Sequence, residues 1–302
     1  MIGRWSLAAA ALKVAPMWKT GLLALAGLFV ASCAQAEPPV WTVRDNDSEM
    51  VLFGSVHVLP PGLDWRPAAL DRALARADDL WFELPVDAAT EAQAAQVAAA
   101  RGLLPVDQTL SSLLPPADAQ RLADAARRYS LALPLLDRFE PWLAEVALAG
   151  GAYRAAGADA GSGVEKAVSQ AAPARTERRA FETPAEQIAI FDDTPLPEQI
   201  ASLSQSLNEI ETDPRAFEDL VHAWMTADVK ALEKDALEPL RRTAPGLYRR
   251  VVTERNARWA QTLDARLKGR GRTVVVVGVG HLIGPDGLPA RLRALGYAVE
   301  GP

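Results

Sequence analysis

The chain has 302 residues, 49% hydrophobic and 23% charged, with a formal net charge of -6, which is the balance of a soluble globular protein. That charge and the lack of any Lys/Arg run leave no basic stripe for nucleic acid. The one cysteine, Cys33, lies in the leader, so the folded part can build no disulfide framework, zinc–thiolate site or cysteine nucleophile.

Segment 1–36 reads as a leader. Within it MWKTGLLALAGLFVASCAQA, residues 17–36, gives a lysine, an apolar stretch and then small residues, the order of a secretory signal. Met17 is a second candidate start. Ala34-Gln35-Ala36 fits an A-x-A cleavage site that frees a chain from Glu37. Val30-Ala31-Ser32-Cys33 instead resembles a bacterial lipobox, which would leave a lipid on Cys33. Both readings predict export, to the periplasm or to the outer membrane through that lipid, the only membrane contact expected.

The β-rich runs PVWTVRD and EMVLFGSVHVL predict a hairpin over 39–58, with Asn46-Asp47-Ser48 as its turn. Pro67 opens a helix in PAALDRALARAD, and DDLWFELP is a short strand ending at Glu83. Residues 88–155 carry helical periodicity broken by Pro and Gly. GADAGSGVEKAVSQAA gives a Gly-rich loop and a helix, RRAF a short strand, and TPAEQIAIF a helix with Thr183 and Glu186 as a capping box. Residues 195–268 are helical again, and the chain closes with RTVVVVGVGH, the helix PARLRALG and the strand YAVE. The expected fold class is α/β, a single domain over 37–302. Its mainly parallel central sheet is built from the N- and C-terminal segments, and a large helical insertion spans about 88–268. The unbroken Val274–Val277 run suits a strand buried on both faces.

Two of the three histidines sit in G-x-x-H at the exit of an apolar run: Gly54/His57 in LFGSVHVLP and Gly278/His281 in VVVVGVGHLIG. Side chains at the carboxyl ends of parallel strands converge on the crevice where α/β proteins bind ligands. Gly54 and Gly278 would bring backbone close to a bound group, and Glu83 leaves a third strand end. Two imidazoles and a carboxylate are a recurrent way to hold a catalytic divalent metal. Other readings stand beside this one. Each histidine is satisfied within the core, His222 most of all. Gly278-x-Gly280 with Glu300 begins a dinucleotide fingerprint, but Ile283 stands where its third glycine belongs. Ser55 shares a strand face with His57 and is a candidate nucleophile.

LFGSVHVLP with RADDLWFELP, then GVEKAVSQAA…RRAFETPAEQIAIF, then ERNARWAQTLDARL and the second G-x-x-H together resemble the TraB/PrgY/GumN family over roughly residues 40–300. That family is related to the Tiki metalloproteases and more distantly to ChaN-like and erythromycin-esterase-like proteins. The resemblance implies a metal site at His57, Glu83 and His281 with Gly54 and Gly278 beside it, and polar cleft residues at Glu182, Arg255 and Asn256. Phe181 stands where leucine is frequent, and no Tiki specificity element is present. By chemistry, Glu182 is a candidate general base, Arg255 a fork for a substrate carboxylate, and Asn256 an oxyanion donor; packing and capping are the alternative for Arg255 and Asn256. The expected function is a metal-dependent hydrolase, a peptidase among the options, using a divalent ion such as Mn, Co or Zn on a peptide or small-molecule substrate. The alternative is a peptide- or haem-binding module of the cell envelope that captures without turnover, with Trp65, Trp81 or Trp142 lining its cleft.

Overall fold

Val40–Arg44 (β1) and Ser48–Ser55 (β2) form the expected hairpin, pairing from Val40 with Phe53 to Arg44 with Glu49. The reversal is an Asx-type turn: Asp45 Oδ1 accepts from the Asp47 and Ser48 amides at 3.2 and 2.8 Å and from Ser48 Oγ at 2.7 Å. The protein is described by a computed structural model covering residues 37–302; the expected leader and the Cys33 lipid site lie outside the described residues.

Four further strands complete a sheet of order β4-β3-β5-β2-β1-β6: β3 Asp79–Phe82, β4 Glu177–Ala180, β5 Gly271–Gly278 and β6 Ala298–Glu300. The fold is α/β, but the sheet is mixed rather than mainly parallel. β4, β3, β5 and β2 pair in parallel, whereas β1 is antiparallel to both β2 and β6. The tight turn at Asp45 allows only a reversal, and parallel pairing needs a longer crossover. β4 comes from inside the helical middle, not from either end. Its Glu177, Arg178 and Arg179 are exposed, as befits an edge strand that must resist further pairing.

β5 lies between β2 and β3, which do not touch each other in the ladder. Its Val274–Val277 side chains are at most 1% exposed, so both faces are covered, as the unbroken valine run predicts. The register sets Ser55 beside Gly278 and Phe82 beside Val276, so three parallel strands end nearly level. Gly54 is closed over by the chain itself. A methyl placed there would lie 2.8 Å from Val279 Cγ2 and 3.0 Å from Val279 Cα. Gly54→Ala is therefore expected to cost about 1–3 kcal/mol in urea unfolding, the cost of overpacking against backbone that cannot retreat.

The helical middle has a second core, in which Leu110, Leu122, Leu148 and Leu203 are fully buried. Here the helix Pro141–Ala155 packs on Leu196–Thr212, and Glu145 Oε1 accepts from Ser202 Oγ at 3.0 Å and Ser206 Oγ at 2.6 Å. Burial nevertheless pushes the Glu145 carboxyl up from its ordinary value, against the pull of the two hydroxyls. The folded state thus holds this proton more tightly than the unfolded chain. Its contribution is complete below the ordinary glutamate value and is lost as pH rises through the raised one. Glu145→Gln keeps an acceptor for both serines and cannot ionise. Its melting temperature is expected to exceed wild type at pH 8 by a few degrees, with the gap closing below about pH 4.

Candidate functional site

The three candidate ligands are each delivered by a strand end or by the turn beyond it, and Arg255 by a helix. His57 follows β2 by two residues and Glu83 directly follows β3. His281 closes a 3₁₀ turn, Val279–His281, directly after β5. Arg255 opens the helix Arg255–Leu267, which is preceded by a π-helical turn, Arg249–Glu254. Such wider winding is frequent at functional sites, and here Val251, Val252 and Arg255 all face one cavity. That cavity, of about 320 Å³, is also lined by His57, Glu83, Gln187, Gly278 and His281. Segments early and late in the described residues, at His57 and His281, therefore meet at it.

The two imidazoles are each fixed through Nδ1. His281 is 6% exposed, and its Nδ1 lies 2.7 Å from Asn256 Oδ1. Asn256 Nδ2 donates to the His281 and Asp286 carbonyls, so its Oδ1 must accept, and His281 Nδ1 carries the hydrogen. His57 Nδ1 lies 2.7 Å from Glu165 Oε1, an acceptor, so this Nδ1 carries a hydrogen whether the ring is neutral or protonated. Both Nε2 atoms are left as the second nitrogen. The rings titrate in opposite directions. The Glu165 carboxylate raises the His57 imidazolium to about 9. Burial pushes His281 down to about 3, with the Arg255 guanidinium adding to it against the pull of Glu83.

Arg255 is the charge at the centre. It is 3% exposed. Its Nε donates to Glu182 at 2.9 and 3.1 Å, and its Nη2 donates to Glu83 Oε2 at 2.6 Å and Glu182 Oε2 at 2.8 Å. Nη1 reaches the Val251 carbonyl at 3.4 Å and His281 Nε2 at 3.0 Å. Glu83 is further held by the Gly278 amide at 2.8 Å and Gln187 Nε2 at 3.1 Å. Burial alone would raise the Glu83 carboxyl; the guanidinium, both imidazoles and the Gly278 amide overcome it and hold it well below the usual carboxylate range.

Several sequence expectations are altered by these contacts. Arg255 has all five N–H groups engaged, leaving no fork for a substrate carboxylate. Both Glu182 oxygens serve that guanidinium, so Glu182 stands as a counter-ion and not as a free base. Asn256 is 0% exposed and spends its amide on His281 and the Asp286 loop, so it does not face an oxyanion. Gly54 approaches Val279 and lines no part of the cavity. Ser55 Oγ donates to Glu165 at 2.6 Å, which directs its proton away from His57, so the two do not form a serine–histidine pair. His222 does not line the cavity. Trp65 stacks on Phe53 with ring centres 5.7 Å apart, and Trp81 packs on Phe181 at 5.0 Å; both belong to the core. The residues that sequence reasoning missed are Glu165 and Gln187.

The model of the TraB/PrgY/gumN family matches residues 39–301, nearly the entire chain. The chain belongs to this family. No curated protein matches it, and no solved structure matches it. As a TraB/PrgY/gumN member it carries both G-x-x-H segments within the matched span.

The fit of a metal to these residues turns on Gly278. A methyl placed on it would lie 3.2 Å from Glu83 Oε1, 3.6 Å from His57 Nε2 and 3.8 Å from His281 Cδ2. The three side chains thus converge on a point that only a glycine leaves open, and imidazole nitrogens with a carboxylate oxygen suit a first-row divalent ion. Among the described residues no group of three or more His, Asp or Glu side chains is spaced to hold an ion. At this cradle Arg255 Nη1 lies 3.0 Å from His281 Nε2, the nitrogen an ion would need. The donor chemistry fits; His281 joins only when Nη1 lets go.

Proposed function

We propose that this TraB/PrgY/gumN protein is an exported, metal-dependent hydrolase of the cell envelope, acting on a peptide or small-molecule substrate, with His57, Glu83 and His281 holding a divalent ion. The observation that carries this reading is the convergence of those three side chains on the open space above Gly278. When bound, such an ion supplies a water of lowered pKa and polarises a carbonyl oxygen. The chain's own residues do the rest. Glu165 holds the Nδ1 hydrogen of His57, so the Nε2 proton is the one an ion displaces, and Asn256 holds the Nδ1 hydrogen of neutral His281, which turns its Nε2 lone pair inward. Gln187 and the Gly278 amide fix the Glu83 carboxylate. Arg255 balances Glu83 and Glu182, and the apolar wall of Leu237, Leu240, Val251 and Val252 keeps the local dielectric low, which strengthens every charge interaction inside.

The test is metal content. Full-length protein loaded separately with Mn, Co and Zn, then dialysed, is expected to retain one equivalent of at least one of them. Glu165→Gln can turn its amide N–H toward Nδ1 and force the hydrogen onto Nε2, so metal affinity is expected to fall about 10–100-fold in a protein that still folds, with a lower melting temperature from the lost His57–Glu165 pair. Failure to retain any ion under every loading condition sinks the reading.

The hold of Arg255 Nη1 on His281 Nε2 favours a second reading, capture of a peptide without turnover. A peptide bound tightly, recovered intact, and indifferent to chelator would establish it. Haem fits this version less well, since His281 Nε2 is already engaged.

A further inference from the structure

A second cavity, of about 210 Å³, adjoins the first: Phe191, Leu240 and Val251 line both. Its remaining apolar walls are Trp142, Val146, Ala149 and Leu247. Trp142 and Phe191 lie nearly parallel, with ring centres 6.3 Å apart and planes 21° from each other, and make one flat side. The polar residues in the wall are satisfied by the chain. Thr194 Oγ1 donates to the Ile190 carbonyl, Gln199 Nε2 to the Thr194 carbonyl, and Gln199 Oε1 accepts from the Trp142 amide. Ser202 Oγ is spent on Glu145. Glu145 is the one ionisable residue lining the cavity, and burial raises its carboxyl toward the neutral form. Nothing in this wall asks for a charged ligand.

We infer that this cavity is the specificity pocket of the site, receiving a single aromatic side chain of the molecule whose polar group lies over Gly278. Size supports this: an apolar cavity of about 150 Å³ accepts a benzene ring, and this one is larger by less than half. Continuity supports it too, because a ring entering past Val251 stays connected to the Gly278 cradle through walls that the two cavities share. Trp142 thus belongs to ligand selection, whereas Trp65 and Trp81 belong to the core. The inference rests on the reading of the Gly278 cradle as the reacting site, but it concerns a different set of residues and can fail separately.

The experiment uses full-length protein with methyl-labelled Ala, Leu and Val, and two probes, N-acetyl-phenylalanine methylamide and N-acetyl-glycine methylamide. The phenylalanine probe is expected to shift the methyl resonances of Val146, Ala149, Leu247 and Val251 and to bind roughly 10–100-fold more tightly than the glycine probe. Ala149→Phe, which fills the cavity, is expected to abolish that preference while leaving metal content unchanged. Equal binding of the two probes, or shifts confined to other methyls, overturns the proposal; so does a folded Ala149→Phe protein that still prefers phenylalanine. If that variant does not fold, the wild-type methyl map alone decides. Stoichiometric metal without phenylalanine preference defeats the pocket and leaves the hydrolase reading standing. Phenylalanine preference without any bound metal does the reverse.

Discussion

Replacing Arg255 with methionine is expected to destabilise the protein by about 3–5 kcal/mol, the loss seen when one partner of a buried ion pair is removed. For a chain of this size that is a fall of roughly 6–20 °C in melting temperature. The cause is what remains behind. Glu83 and Glu182 are 8% and 6% exposed, and both lose the guanidinium that now lies 2.6 and 2.8 Å away. Glu83, whose carboxyl the guanidinium holds down, takes up a proton more readily once that charge is gone. The deficit is therefore expected to be largest at neutral and alkaline pH and to shrink as the buffer becomes acid enough to protonate Glu83. Arg255→Lys keeps the charge, but a point ammonium cannot reach both carboxylates and His281 Nε2 together, so it should fall between wild type and methionine. Melts of the three proteins across pH 4–9 check this. A methionine variant as stable as wild type at pH 8 would show that Arg255 does not balance the site.

Gly278→Ala is expected to separate the site from the fold in the opposite way. The backbone there, at φ −48° and ψ 136°, suits any residue, so the substitution reduces unfolded-state freedom by about 0.4–1 kcal/mol, which offsets the cost of displacing the Glu83 carboxylate oxygen 3.2 Å from the added methyl. The melting temperature should stay within a few degrees of wild type. Metal retention should be lost, because the added methyl occupies the point toward which Glu83, His57 and His281 converge. Metal analysis beside a thermal melt measures both. Undiminished metal in a folded Gly278→Ala protein would move the ion away from this cradle.

Much of this arrangement was legible in the sequence because it follows from strand periodicity. The valine run marked β5 as buried on both faces, and strands of that kind place their exits side by side, which was enough to bring His57, Glu83 and His281 together. The capping box was readable as local chemistry, and Thr183 and Glu186 form it: the Glu186 amide donates to Thr183 Oγ1 at 3.3 Å and Glu186 Oε2 accepts from the Thr183 amide at 2.8 Å. What could not be read was partnership at long range. Glu165 stands one residue into the helix Val164–Ala171, where an acid is ordinary, and nothing local says that the Val164 amide bonds to the Val56 carbonyl and brings Glu165 against His57. Arg255 and Glu182 were singled out as separate cleft groups. Their mutual neutralisation, across 73 residues of chain, changes the role of each. The mixed character of the sheet had a local signature in the short hairpin turn; the entry of β4 from the middle of the chain had none.

The position of β5 has a consequence for how the molecule is made. During synthesis β2 and β3 leave the ribosome long before residues 271–278, and each must wait with an unsatisfied ladder edge for the strand that belongs between them. Pairings so distant along the chain close slowly, and an open apolar edge is a template for aggregation. A nascent chain halted before Gly271 would hold His57 and Glu83 with their partners Glu165, Gln187 and Arg255 but lack Gly278 and His281, so the cradle is completed only once β5 and the turn after it have been made.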